Sequence, residues 1–356
     1  MLQHALGRGV AFASPGWFRP SEQRPDAGEA GDVLVLSPGP VPTTSIYLES
    51  RLGPLRGRIV DTLAADPPPG PPRATELVLV RHAPRPWLRW ISQHRAAFGR
   101  IALLMDDDMP QALLAAELPP AYALRTARRH RDVRCLLAGC CDELWLSTPE
   151  LLRRYPGPRS RLLVPLYVSP RVVDETPADT EPVYFYHGTR AHLAEIRWLR
   201  PVVEAVQRRC PRAVFEVLGD EGVARVFRGI PRVRVRPWLT WPDYLAYSRT
   251  HQYKVGLAPC LDTPFNRARS QVKLFDITRL GAAGVYADLA PYADGVLHGE
   301  TGLLCAARHE DWVEAIAALL EGPDQASAMA GAARLVCAEQ RARHGHWPSA
   351  GAHGFA

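Results

Sequence analysis

Short, uniformly apolar runs recur along this chain, each followed by a longer amphipathic stretch, and that rhythm restricts the fold more than any other feature. VLVLSP (33–38), ELVLVRH (76–82), RIALLM (100–105) and DELWLST (142–148) are too short for helices and apolar on both faces. They read as strands of a parallel sheet covered on both sides. Helices are expected over 43–55, from Trp87 to Phe98 and from PELLRRY (149–155), with ADPPPGPPRA (65–74) a loop and RLLVPLY (161–167) a further strand. Alternating strands and helices give an α/β fold of the doubly wound type.

The rhythm breaks at SPRVVDETPADTEP (169–182), a polar, proline-containing stretch that reads as a linker, and restarts at VYFYHGT (183–189). AVFEVLGD (213–220), VRVRPW (233–238), YKVGLAP (253–259) and GVYAD (284–288) continue it as strands, and helices are expected at about 270–280, 309–321 and 323–338. The helix after 189 carries Leu193, Ile196, Leu199, Val203 and Val206 on one face, and Pro201 is expected to kink it. With 356 residues, two domains are the better prior. The expected organisation is a disordered leader (1–31, or a start codon placed too early), an amino-terminal domain (32–168), the linker (169–182), a carboxyl-terminal domain (183–340) and a flexible tail (341–356). Ligands of such sheets bind beyond the carboxyl ends of the strands, here in a cleft between the domains.

Seven cysteines form no CxxC pair, which points to reduced thiols in a cytosolic protein. Residues 1–31 contain no sustained apolar core of a signal peptide, and no run has the length of a transmembrane helix. A net charge of +6 suits nucleic acid, an anionic membrane or phosphorylated small molecules; no nucleic-acid-binding module accompanies it. A basic, aromatic stripe along PWLRWISQHRAAFGR (Trp87, Trp90, Ile91, His94, Phe98), with RTARRHRDVR (125–134) beyond it, is compatible with lipid contact or with ordinary core packing.

Neither GxGxxG after a strand nor a Walker lysine motif is present. Four clusters remain as chemistry. Asp106-Asp107-Asp108 follows a strand and could hold a divalent ion, cap a helix or bind a sugar hydroxyl. Arg81-His82 ends another strand, where His82 could bind a hydroxyl or act as a base. His187-Gly188-Thr189 opens the second domain, its glycine permitting close approach to a phosphate. In FNRARSQVKLFD (265–276), Arg267, Arg269 and Ser270 precede or open a helix, Lys273 follows one turn in, and Asp276 lies three residues on. Of 43 basic residues only Lys254 and Lys273 are lysines, so a compact point charge has been kept where the chain otherwise prefers guanidinium forks.

The segment 257–305 resembles the carboxyl-terminal domain of GT-B glycosyltransferases of the group 1 (family 4) type. The likeness lies in the serine, lysine and carboxylate at 270, 273 and 276 and in the HGETGLL turn (298–304); YHGTRAHLAEIRWLRPVVEAV (186–206) and DELWLSTPELLRRY (142–155) add to it. The resemblance implies two Rossmann-like domains facing a cleft. It implies transfer of a sugar from a nucleotide-diphosphate donor to a glycan or lipid-linked acceptor, with retention and no metal or other cofactor. Lys273 would neutralise the diphosphate with Arg267 or Arg269 assisting; Asp276 would bind the ribose; Gly188, Thr189, Ser270 and Glu300 would line the donor site. His82 and Asp107 would be the acceptor-side catalytic candidates. Ala268 stands where the family has the first glutamate of its E-x7-E motif, which leaves a catalytically impaired GT-B-like binding protein as one rival and a metal-dependent GT-A type transferase using Asp106–Asp108 as another. A cytoplasmic setting, at or near the inner face of a membrane, completes the expectation.

Overall fold

A computed structural model describes residues 32–53, 57–70, 76–168 and 181–348. The leader 1–31, most of the linker and the last eight residues lie outside the described residues. Two six-stranded sheets, parallel throughout, form the framework: β1 (Val33–Ser37), β2 (Gly57–Asp61), β3 (Glu76–Val80), β4 (Arg100–Met105), β5 (Glu143–Leu146) and β6 (Ser160–Leu162) in the order 2-1-3-4-5-6, then β7 (Val183–Tyr186), β8 (Val214–Leu218), β9 (Val233–Arg236), β10 (Val255–Ala258), β11 (Ala283–Ala287) and β12 (Leu303–Cys305) in the order 12-11-10-7-8-9. Every residue of β1, β4, β7, β8, β10 and β11 is buried, as expected of strands covered on both faces.

Each sheet reverses its winding once, between β1 and β3 in the first and between β7 and β10 in the second. Loops leaving neighbouring strands at such a point part in opposite directions and open a crevice. The two crevices face each other. Between them the domains share one contiguous apolar core, in which Tyr47, Leu163 and Tyr167 of the first meet Phe275 and Leu274 of the second.

Departures from the sequence expectations have local causes. β2 is an edge strand whose first three residues are exposed, so GRIVD lacks the apolar signature of its neighbours. The helix Pro120–Leu136 escapes notice because only Ala123, His130 and Val133 of its seventeen residues are buried. β6 stops at Leu162, and Leu163, Leu166 and Tyr167 turn into the core instead of prolonging it.

The stripe of Trp87, Trp90, Ile91 and Phe98 is buried, with the indole N–H groups donating to Ala65 O (2.8 Å) and Gly70 O (3.2 Å), so it packs the first domain and does not face lipid. The flexible tail expected from 341 is, as far as Pro348, part of the folded body. The last helix continues to His344, Trp347 packs edge-on to Trp145 and donates to Glu76 (2.9 Å), and Arg100 donates to Pro348 O (2.9 Å). All seven cysteines are free, and no described helix is long and apolar enough to cross a membrane.

Candidate functional site

The facing crevices enclose a cleft of about 380 Å³. Pro40–Thr43 and Arg81, after β1 and β3, form one wall with Asp106, Asp107 and Tyr122; His187–Thr189 and Pro259–Cys260, after β7 and β10, form the other with the start of the helix Val272–Arg279. Both walls therefore come from the switch points of their sheets.

The basic segment sits at the centre. Its helix begins at Val272, later than the sequence suggested, with Gln271 as cap residue, so Lys273 lies in the first turn, where unpaired backbone N–H groups add positive potential. Lys273 donates to Asp276 (3.0 Å), and Asp276 also accepts from buried Arg279 (3.1 Å). One carboxylate thus shares two cations, and the ammonium keeps donors for a further anion. Ser270 accepts from the Tyr47 hydroxyl across the domain boundary (2.6 Å).

Arg269 is partly buried between the domains: its guanidinium is 3.8 Å from Asp107 of the first and 3.9 Å from Glu195 of the second, and Nη1 is 3.1 Å from His192 Nδ1. Burial, helped by the neighbouring Arg269 charge, pushes His192 down to about 4. The ring is neutral at physiological pH, with Nδ1 accepting from Arg269 and Nε2 left as the N–H donor. Burial works to raise Glu195, but His192 and Arg269 outweigh it and hold its carboxyl below the usual range.

The three aspartates after β4 part company. Asp106 is held by Arg81 in a two-pronged pair and by Thr43 (2.7 Å). Asp108 is fully buried away from the cleft, accepting from Arg154 and Tyr155 at 2.5 Å each. Asp107 is held more loosely, 3.5 Å from Arg81 and 3.8 Å from Arg269, and burial together with the Asp106 charge outweighs both and raises its carboxyl. No group of three ligands among the described residues could hold a metal ion.

Arg81, not His82, reaches the cleft, because Arg81 adopts a left-handed backbone (φ 58°) that swings its side chain toward Asp106. His82 is turned behind the wall, where it meets Arg129 (3.1 Å) and where burial and the Arg129 and Arg81 charges push it down to about 4. Asp107, Gly188, Thr189, Arg269, Ser270, Lys273 and Asp276 line the cleft together; His82, Arg267 and Glu300 do not. Arg267 is exposed and paired with Asp262, and Glu300 is exposed in a turn closed by Thr301 accepting from Leu297 N (2.9 Å). Ala268 is wholly buried among Met105, Met109, Leu146 and Leu151, with its carbonyl accepting from Thr148 (3.0 Å).

Lining residues for which the sequence offered no signal include Tyr122, His192, Glu195, Trp238 and Tyr244. Trp238 donates to Gly188 O (3.1 Å) and lies under the Arg190 guanidinium. Beside the cleft floor, Glu216 is buried among Arg236 (2.7 Å), Tyr247 (2.6 Å), Tyr253 (2.5 Å) and His187 (3.4 Å); these partners overcome its burial and hold it far below the carboxylate range.

No protein-family model matches the chain, and no curated protein matches it in sequence. Solved structures do. HepE of Anabaena in complex with UDP and glucose superposes with a TM-score of 0.57 at 11% identity, over 87% of this chain and 95% of that one. Its complex with UDP-glucose gives 0.57 at 12% over the same shares. Sucrose-phosphate synthase from Thermosynechococcus elongatus gives 0.50 at 17%, over 74% of this chain and 69% of that one. The fold is GT-B. A GT-A arrangement built around Asp106–Asp108 is thereby excluded, and the separate anchoring of the three aspartates is its counterpart at the site. In GT-B terms the lysine segment belongs to the second, carboxyl-terminal domain and the aspartates to the first.

Proposed function

We propose that this chain is a glycosyltransferase that binds a nucleotide-diphosphate sugar in the interdomain cleft and passes the sugar to a hydroxyl of a glycan or lipid-linked acceptor, with retention of configuration. The observation that carries the reading is the meeting, inside one cleft, of the Lys273 ammonium, the Arg269 guanidinium and the first turn of the helix Val272–Arg279. Those are the groups a leaving diphosphate needs. Arg269, His192 and Lys273 stabilise the charge that grows as the anomeric carbon–oxygen bond breaks. Asp276 lies one turn on, where it accepts from a ribose hydroxyl; Gly188 and Thr189 border the phosphates. Asp107, the most loosely held of the three carboxyls, faces them across the cleft and orients the acceptor hydroxyl, whose proton passes to the departing diphosphate oxygen. Catalysis is then positioning and charge stabilisation, with no metal or other cofactor assigned a role. Work in the cytoplasm on a surface polysaccharide or glycoconjugate fits this chemistry.

The burial of Ala268 favours one second reading, a GT-B protein that binds a nucleotide sugar without turning it over. Both are tested by one experiment. The protein is incubated with a panel of nucleotide sugars headed by UDP-glucose, and release of nucleoside diphosphate is followed while proton NMR reads the anomer formed. Release with a retained anomer supports transfer. Binding without release supports the second reading, and neither binding nor release overturns both.

A further inference from the structure

The helix Pro120–Leu136 buries one narrow face and carries arginine around the rest: Arg125, Arg128, Arg129, Arg131 and Arg134 all lie exposed along it. Asp132 is paired with Arg85 (2.9 Å) and lies 3.8 Å from Arg131, and Glu117 is turned to Thr263. Among the described residues no carboxylate reaches Arg125 or Arg128; Arg125 rests on the Tyr122 ring, 5.7 Å from its centroid. Like charges four apart on a helix repel, and burial, joined by the Arg125 charge, holds Arg129 below its ordinary value.

Packed beside this helix is the turn Met109–Leu114. Its Ala112, with Ala115 and Leu118 just beyond, faces inward against Ala191 and Phe265 of the second domain, and that leaves Leu113 and Leu114 outward at 59% and 77% exposure. Leu124, at the start of the arginine face, is 43% exposed. Core formation does not use these leucines, and they adjoin cations that lack counter-charges. The patch borders the cleft through Arg125, which rests on Tyr122, a residue of the cleft lining.

We propose that this face docks on an anionic lipid bilayer, with Leu113, Leu114 and Leu124 entering the acyl boundary and Arg125 and Arg128 meeting the headgroup phosphates. A small apolar tip ringed by unpaired cations matches an interface that is apolar below and negative above. Docking in this pose sets the first-domain side of the cleft against the membrane, where a lipid-linked acceptor would be held. That last clause rests on the transfer reading; the docking itself does not, and its test involves no reaction.

The full chain is floated with vesicles of phosphatidylcholine alone and of phosphatidylcholine containing one-third phosphatidylglycerol. The chain is expected to rise with the anionic vesicles only and to be released by salt. Charge reversal in Arg125→Glu/Arg128→Glu should lower partitioning at least about tenfold, and Leu113→Glu/Leu114→Glu, at exposed positions that spare the core, should abolish it. Circular dichroism and melting temperature matching the wild type keep both results interpretable. Wild-type protein that stays at the bottom with anionic vesicles overturns the proposal, as does flotation of both variants equal to wild type. So does a wild-type dimer in sedimentation that Leu113→Glu/Leu114→Glu converts to monomer, since the leucines would then be covered by a second copy.

Discussion

Introducing a carboxylate at Ala268 is the sharpest perturbation the fold offers. Ala268 is 0% exposed, enclosed by Met105, Met109, Leu146 and Leu151 of the other domain, and its carbonyl is already engaged by Thr148. Arg154, a basic group of that domain, is committed to Asp108 and Glu150. In Ala268→Glu the extra atoms overpack the contact, at about 1–3 kcal/mol. The carboxyl finds no cation and must take up a proton, which from an ordinary value near 4.3 costs about 4 kcal/mol at roughly pH 7.5. The sum, about 5–7 kcal/mol, is comparable with the whole stability of a domain. The carboxyl value is raised in the fold, so the charge part of the penalty grows with pH: it is small near the unfolded value and should shrink by about 2.7 kcal/mol between roughly pH 7.5 and 5.5. Ala268→Leu carries the packing part only and should show no such recovery. Denaturant melts of both variants at the two pH values decide the matter. A glutamate variant as stable as wild type at the higher pH, or one that binds a nucleotide sugar more tightly, would mean the position faces the cleft, and the reasoning would be refuted.

Two further outcomes follow from the site. Arg81→Ala leaves Asp106 with Thr43 alone and Asp107 beside an unneutralised carboxylate; it should lose about 2–4 kcal/mol in melts and most transfer activity, with Arg81→Lys restoring the charge but not the fork. His82, His130 and His192 are each pushed down to about 4, chiefly by burial. Their neutral forms belong to the fold and the unfolded chain takes up protons below about 6.5. Stability is therefore full above that value and falls as pH drops toward 4, by about 2 kcal/mol per histidine at roughly pH 5. The raised Asp107 carboxyl works in the opposite direction and offsets part of the loss. Urea midpoints between about pH 7 and 5 read the slope, which His192→Asn should flatten.

The sequence disclosed what is local. Uniformly apolar runs such as VLVLS and VYFY need both faces covered, so their parallel pairing could be read without coordinates. β2 could not, because an edge strand with exposed residues carries little apolar signal. Within the cleft, Gly188, Thr189 and the 269–276 segment were legible since a strand end or a helix start sets their position. Tyr122, Trp238 and Glu195 arrive from distant elements and only topology brings them in. At Arg81-His82 the right pair was visible and the wrong member favoured: a left-handed backbone at one residue decides which side chain faces the cleft. The membrane question moved for a similar reason. An amphipathic stripe shows that a face must be buried, but not whether protein or lipid covers it; the tryptophan stripe went to the core, and exposed leucines appeared elsewhere.

The central claim, that Lys273 and its helix start hold the diphosphate of a nucleotide sugar, has a direct test in calorimetric titration of UDP-glucose and its relatives into wild type, Lys273→Ala and Lys254→Ala. Lys254, the other lysine, lies at the start of β10, away from the cleft lining, and is the internal control. Loss of a charge-assisted contact should weaken binding about tenfold or more in Lys273→Ala and leave Lys254→Ala as wild type. Equal affinity in all three proteins would contradict the account.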